Sequence, residues 1–113
     1  MNKIDLDALL KDVLAQSETL AAELLKDFKD KGVADVKQFL SDSRSDLERW
    51  TGELTQGEIT KDEFHDLVQG QIDVALLHGL KESGLAEVEI DKFTDGVIDI
   101  LTEVAFSAAK SLV

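Results

Sequence analysis

Two histidines, His65 and His78, are the side chains best suited to acid–base or metal chemistry in this chain, which has no cysteine. They stand thirteen residues apart on one predicted helix. At 100° per residue they point roughly 220° apart, so they cannot share a metal ion. His65 lies beside Asp62 and Asp66 and is predicted to be a solvated side chain.

His78 falls on the apolar face of its predicted helix, one heptad after Gln71. A polar pair on such a face usually forms hydrogen bonds that fix helix register, and Ser17 or Ser43 could join it from a facing helix. The alternative is an enzyme or ligand-binding site in the bundle core around His78. A catalytic histidine needs an orienting acid, and Glu82 is the only local acid at helical spacing.

Metal chemistry finds little support elsewhere in the sequence. A ferritin-like di-iron site needs Glu-x-x-His on two helices, and the nearest match, Asp62-x-x-His65, occurs once. Without cysteine there is no thiolate nucleophile and no cysteine-based zinc or iron–sulfur site. We therefore predict no catalytic residue, no metal and no other cofactor.

The stretch Gln56–Phe64 resembles the second half of an EF-hand calcium loop, with Gly57 at the turn and Glu63 at the closing carboxylate. The resemblance implies calcium binding only if the first half also supplies oxygen ligands. Thr60 and Glu63 form a helix capping box instead, which accounts for the same residues without calcium. The positions where the loop requires oxygen ligands hold Gly52, Leu54 and Gln56.

Four acids follow one another at steps of four along the last predicted helix, and they form what we call the acidic row: Asp91, Asp95, Asp99 and Glu103. Like charges at this spacing cost helix stability by a few tenths of a kcal/mol per pair. Such a row is either a solvated face that maintains solubility or a docking surface for a basic partner. Phe106 projects away from the core stripe of the same helix. These five residues are the candidate partner-binding residues.

The elements that position these residues are predicted to be helical, because apolar residues recur at alternating steps of three and four throughout. We expect helices at residues 5–31, 34–54, 61–83 and 87–112. No stretch alternates with the period of a strand. The predicted core stripe of the first helix is Leu6, Leu10, Val13, Ser17, Leu20, Leu24 and Phe28, and that of the last is Ile90, Phe93, Val97, Leu101, Val104, Ala108 and Leu112.

Glycines mark two of the predicted helix ends. Lys29 and Lys31 precede Gly32, which places positive charge in a last turn and a residue without Cβ where left-handed backbone is needed. The same arrangement recurs at Gly84. Four helices of similar length with short connections favour an all-α, antiparallel up-and-down four-helix bundle made of two helical hairpins. The alternative is one long helix 5–54 through Gly32 plus a helical hairpin, completed by dimerisation.

Composition narrows the classes of function. The 113 residues fit a single helical-bundle domain, residues 1–113, and the net charge of −12 argues against direct binding of nucleic acid or of anionic membrane. We predict no membrane span and no secretion signal, and hence a soluble, cytoplasmic protein.

The second hairpin is the more apolar, so a homodimer through the third and fourth predicted helices is a further expectation.

We therefore expect a non-enzymatic helical bundle with a protein-binding or structural role. One alternative is an acidic mimic of nucleic acid that inhibits a basic DNA- or RNA-binding protein. The other is the enzyme or ligand binder around His78. The salt dependence of partner binding distinguishes the protein-binding bundle from the nucleic-acid mimic. Binding through phosphate-like carboxylates weakens strongly with salt, whereas apolar docking does not.

Overall fold

Every element of the computed structural model is a helix within residues 5–75, 82 and 84–111, which are the residues the structure describes. A short 3₁₀ turn, Lys26–Phe28, lies between the first two helices. The all-helical class is therefore confirmed. The helices are α1 (Leu6–Leu24), α2 (Lys29–Asp42), α3 (Arg44–Thr55), α4 (Lys61–Ala75) and α5 (Glu87–Ser111).

The first reversal of the chain occurs at residues 25–28 and not at Gly32. α1 ends at Leu24, and Lys26 adopts a left-handed conformation with φ +48°. α2 then begins at Lys29 and runs through Gly32. The predicted helix end at residue 31 is therefore wrong, and so is the alternative of one continuous helix 5–54, because the chain already breaks after Leu24.

Gly32 is needed for close packing and not for a helix end. It is buried in the first turns of α2, and a Cβ there would overlap with the Leu25 side chain and lie 3.4 Å from the ring of Phe93. Leu25 is 2% exposed, so it has little room to move aside. A glycine here lets the turn and α5 approach the backbone of α2.

The second predicted helix, 34–54, is divided in two at Ser43. The backbone of Ser43 has φ −99° and ψ 9°, outside the range of a regular α-helix. Its N–H still bonds to the Phe39 carbonyl, and its carbonyl still accepts from the N–H of Leu47. The helix is thus interrupted at one residue while the backbone hydrogen bonds continue across it.

Two other signals in the sequence are confirmed. The Thr60 N–H donates to Glu63 Oε1 (2.9 Å) and the Glu63 N–H donates to Thr60 Oγ1 (3.1 Å), which is the predicted capping box at the start of α4. Gly84 adopts the left-handed conformation expected of it, with φ +87°. The last predicted helix, 87–112, corresponds to α5, whereas the end of the predicted helix 61–83 lies outside the described residues.

α1 runs antiparallel to its two neighbours. Arg44 pairs with Asp7 at 2.7 Å near the start of α1, and α2 begins beside the end of α1, so α1 and α2 run in opposite directions. Leu20, near the end of α1, packs on Gly96 in the first half of α5, so α1 and α5 are also antiparallel. No described helix is long and apolar enough to cross a membrane.

The core lies where α1, α3 and α4 face α5, and α2 adds Val36, Phe39 and Leu40 to it. It is built from aliphatic side chains around a few aromatic rings. The largest fully buried side chains are Phe64, Phe93, Leu25, Leu47, Ile72, Ile98, Leu101, Val13, Val36, Val68 and Val97.

Candidate partner-binding surface

The acidic row lies on the exposed side of α5, a helix of 25 residues. All four of its residues are exposed to solvent. The side chain of Asp99 is 71% exposed and that of Glu103 is 62% exposed. α5 therefore presents the row of carboxylates that its sequence predicts.

The two halves of the acidic row differ in their surroundings. Asp99 Oδ1 lies 3.4 Å from His65 Nε2, and Glu103 forms an ion pair with Lys61. Both partners come from the start of α4. Asp91 and Asp95 make no ion pair within the part of the chain that the structure describes. The half of the row nearer the start of α5 is thus the half with carboxylates free to meet a partner.

Phe106 is half-buried and lies under two ammonium groups. Lys61 Nζ is 5.0 Å from the centre of the ring, and Lys110 Nζ is 5.9 Å from it. A cation over an aromatic face is attracted by the electrons of the ring. Lys61 therefore links Phe106 to Glu103, and Phe106 is covered by charge instead of presenting a bare apolar ring.

A groove runs between the first half of α1 and the last turns of α5, and we call it the α1/α5 groove. It encloses about 550 Å³. Its floor is apolar and its edges carry carboxylates and small polar side chains. It is lined by Asp5, Ala8, Leu9, Asp12, Gln16, Glu103, Val104, Ser107, Ala108 and Ser111.

Sequence reasoning missed this groove because it placed Val104 and Ala108 in the core. The buried face of α5 shifts along the helix, so its last turns bury Thr102, Ala105 and Ala109 instead. Val104 and Ala108 remain half-buried beside α1. The sequence does contain a second run of small residues at helical spacing, Thr102, Ala105 and Ala109, and this run could have revealed the shift.

The two acids that α1 contributes to the groove are fixed by local hydrogen bonds. Asp5 Oδ1 accepts from the N–H of Ala8 at 3.2 Å and caps α1. Asp12 Oδ1 accepts from Gln16 Nε2 at 3.1 Å. A carboxylate has room for further donors on both oxygens, so each acid can still bind a cation.

His65 is partly solvated and lies beside Asp66, as predicted, but it also contacts Asp99 on α5, which the sequence did not indicate. Its ring is 36% exposed, with Nδ1 3.7 Å from Asp66 and Nε2 3.4 Å from Asp99. The contact with Asp66 joins sequence neighbours, whereas the contact with Asp99 joins α4 to α5. The ring lies between two acids and contacts no nucleophile in the described part of the chain.

The predicted polar pair in the core is described only in part. Gln71 is half-buried, and His78 and its neighbours lie outside the described residues. Ser17 and Ser43, proposed to face this pair, are 0% and 1% exposed, and neither hydroxyl has a hydrogen-bond partner among the residues that the structure describes. The same part of the chain holds no group of three potential metal ligands.

Comparison of the chain with protein-family models, with curated proteins and with solved structures gave no significant match. The surface geometry is therefore the basis for a functional assignment.

Proposed function

We propose that this chain is a non-enzymatic helical protein that binds a basic protein partner through the acidic row of α5. The observation that supports this most directly is the state of Asp91 and Asp95. Both are exposed, and neither has an ion-pair partner in the described part of the chain. Carboxylates held in a row on a long helix offer a fixed pattern of charge to a cationic surface.

The electrostatics of the whole chain supports the same partner class. A net charge of −12 attracts cationic proteins and raises the rate at which they meet this one. The exposed pairs of Asp99 with His65 and of Glu103 with Lys61 are worth only about 0–1 kcal/mol each. A partner's lysine or arginine can therefore replace His65 or Lys61 at small cost.

We further propose that the scaffold is an antiparallel up-and-down four-helix bundle in which α2 and α3 together form the second rod. The antiparallel directions of α1 and α2 and of α1 and α5 support this arrangement. So does the pairing of Lys61 with Glu103 and of His65 with Asp99, because residue numbers that rise on α4 fall on α5. A bundle of this kind holds the acidic row on a straight, supported helix.

The test is a pull-down of the tagged protein from native cell extract at low and at high salt, read by mass spectrometry. Asp91→Lys/Asp95→Lys reverses the free half of the row. The matched control, Asp30→Lys/Glu48→Lys, makes the same change in net charge at two exposed positions on α2 and α3. Circular dichroism confirms that both variants remain folded.

We expect a basic protein that elutes with salt, is lost with Asp91→Lys/Asp95→Lys and is retained by the control. Displacement of that partner by DNA or RNA would narrow the function to an acidic mimic of nucleic acid. A partner that resists salt would point to apolar docking on the second hairpin. Recovery of the protein alone, or equal recovery by both variants, would contradict the proposal.

A further inference from the structure

We infer that the α1/α5 groove is the binding site for one basic amphipathic helix of about three turns, which the partner supplies. The inference rests on the proposed function, since it names the form in which a basic partner docks. The groove follows α1 from Asp5 to Gln16, twelve residues whose eleven helical steps span roughly 16 Å. That length matches three turns of a second helix laid alongside.

The floor of the groove fits the apolar stripe of such a helix. Its base is formed by Val104, which is half-buried, above Leu9, which is 4% exposed, and Ala8 and Ala108 leave space on either side. Small side chains allow the backbone of a docked helix to approach closely, and amphipathic helices commonly bind grooves with apolar floors. The floor is thus shaped for a helix that presents leucine-sized residues at helical spacing.

The edges of the groove determine the charge of that helix. Asp5, Asp12 and Glu103 line it, with Glu103 already paired to Lys61, and no lysine, arginine or histidine lines it among the residues that the structure describes. Lysines or arginines flanking the apolar stripe of a docked helix would reach these three carboxylates. A second copy of this chain is disfavoured as the occupant, because it brings its own net charge of −12 to edges that are already acidic.

A neighbouring groove shows that this charge pattern is specific to one side of α1. The groove between α1 and α2, about 520 Å³, has an apolar floor that includes Leu10 and Leu14. Its edges hold Lys11 and Lys37 together with Asp5 and Asp7. Those edges are balanced in charge, so they do not select a basic helix, whereas the edges of the α1/α5 groove do.

The test uses a fluorescein-labelled synthetic 14-residue peptide, (Leu-Lys-Lys-Leu-Leu-Lys-Leu) repeated twice, and measures its binding to the full chain by fluorescence anisotropy at 150 mM NaCl. Two variants alter the groove: Asp12→Lys reverses an edge charge, and Ala8→Trp fills the floor. Each has a control on the outer surface of α1, Glu18→Lys and Ala22→Trp, at exposed positions that do not line the groove.

We expect Asp12→Lys and Ala8→Trp each to weaken binding about tenfold, and each control to weaken it less than about twofold. A peptide of the same length in which seven Leu and seven Lys alternate, and therefore form no apolar helical stripe, should bind the unchanged protein about tenfold more weakly. Equal binding by groove variants and controls would overturn the inference, because the peptide would then be held by general charge.

The two proposals fail separately. Peptide binding that ignores the groove, together with a cellular partner lost on Asp91→Lys/Asp95→Lys, would overturn the groove and leave the proposed function standing. Groove-dependent peptide binding with no cellular partner would support the groove and contradict the proposed function.

Discussion

Ser17 is the residue at which burial and hydrogen bonding conflict most clearly. It lies in the middle of α1 with 0% exposure, and its hydroxyl has no partner in the described part of the chain. Burying a hydroxyl without a hydrogen bond costs about 1–3 kcal/mol on the scale of protein mutations. The local sequence does not reveal this conflict, because a serine in an apolar stripe looks the same whether or not a partner faces it.

We predict that Ser17→Ala raises the free energy of unfolding by about 1 kcal/mol, because it removes an unpaired polar group and favours the helix. Urea denaturation followed by circular dichroism measures the change. Ser45→Ala is the control, since Ser45 is an exposed serine within α3 and reports the helix preference alone. A loss of stability in Ser17→Ala would instead indicate that the hydroxyl has a partner, as the sequence predicts with Gln71 and His78.

Contacts between residues close in sequence were the predictable part of the surface. The capping box of Thr60 and Glu63 follows from a spacing of three within one helix end. The pairing of His65 with Asp99 and of Lys61 with Glu103 depends on how α4 is set against α5. No spacing rule within one helix gives that register, so these pairs could not be predicted.

At the scale of elements, the reversal between α1 and α2 shows why a glycine signal can mislead. Glycine allows left-handed backbone, but it also allows two elements to approach closely, and the sequence does not distinguish the two uses. Gly84 adopts the left-handed backbone, with φ +87°, whereas Gly32 allows the close approach of two elements. The chain turns instead at Lys26, where the residue type gives no turn signal.

We predict that Gly32→Ala lowers the free energy of unfolding by about 1 kcal/mol. The overlap with Leu25 costs about 1–3 kcal/mol, and the better helix preference of alanine recovers about 1 kcal/mol of it. Gly70→Ala in α4 is the matched control, because a Cβ there meets nothing within 4 Å, and it should raise stability by about 1 kcal/mol. Both are measured by urea denaturation.

Equal gains in the two variants would show that Leu25 moves aside freely.

The shift of the buried face along α5 is a second feature of element scale. The stripe predicted for this helix is confirmed at Ile90, Phe93, Val97 and Leu101, and then departs at Val104 and Ala108. α5 packs on α1, α3 and α4 and meets α2 at Gly32, so its buried face is wider than one stripe. That wider face leaves Val104 and Ala108 at its edge, where they line the α1/α5 groove.

At the scale of the whole molecule, charge opposes folding. Twelve excess acids repel one another across a molecule whose principal dimensions are 46 × 22 × 20 Å. Salt screens such repulsion, with a Debye length of about 30 Å at 0.01 M and about 3 Å at 1 M. The ion pairs of Asp7 with Arg44 and of Lys61 with Glu103 are exposed, so salt removes little stability by screening them.

We therefore predict that raising NaCl from about 10 mM to about 500 mM stabilises the protein by about 1 kcal/mol and raises Tm by roughly 4 °C. Thermal unfolding monitored by circular dichroism measures this shift, and KCl at the same ionic strength should give the same shift if screening is its cause. A Tm that falls with NaCl would mean that attraction between unlike charges outweighs the repulsion.

The turn at Lys26 has a consequence for how copies of this protein meet in concentrated samples. A left-handed lysine raises the energy of the turn by roughly 1–2 kcal/mol. Opening the turn releases that strain and sets α1 in line with α2, and the detached α1 can then pack on α5 of another molecule. The contacts that α1 loses within its own molecule form again between two molecules. Only the entropy lost on association then opposes the exchange of α1, and a higher protein concentration reduces that entropic cost. We therefore expect the turn to favour interlocked, domain-swapped dimers in concentrated samples, which size-exclusion chromatography would separate from the monomer.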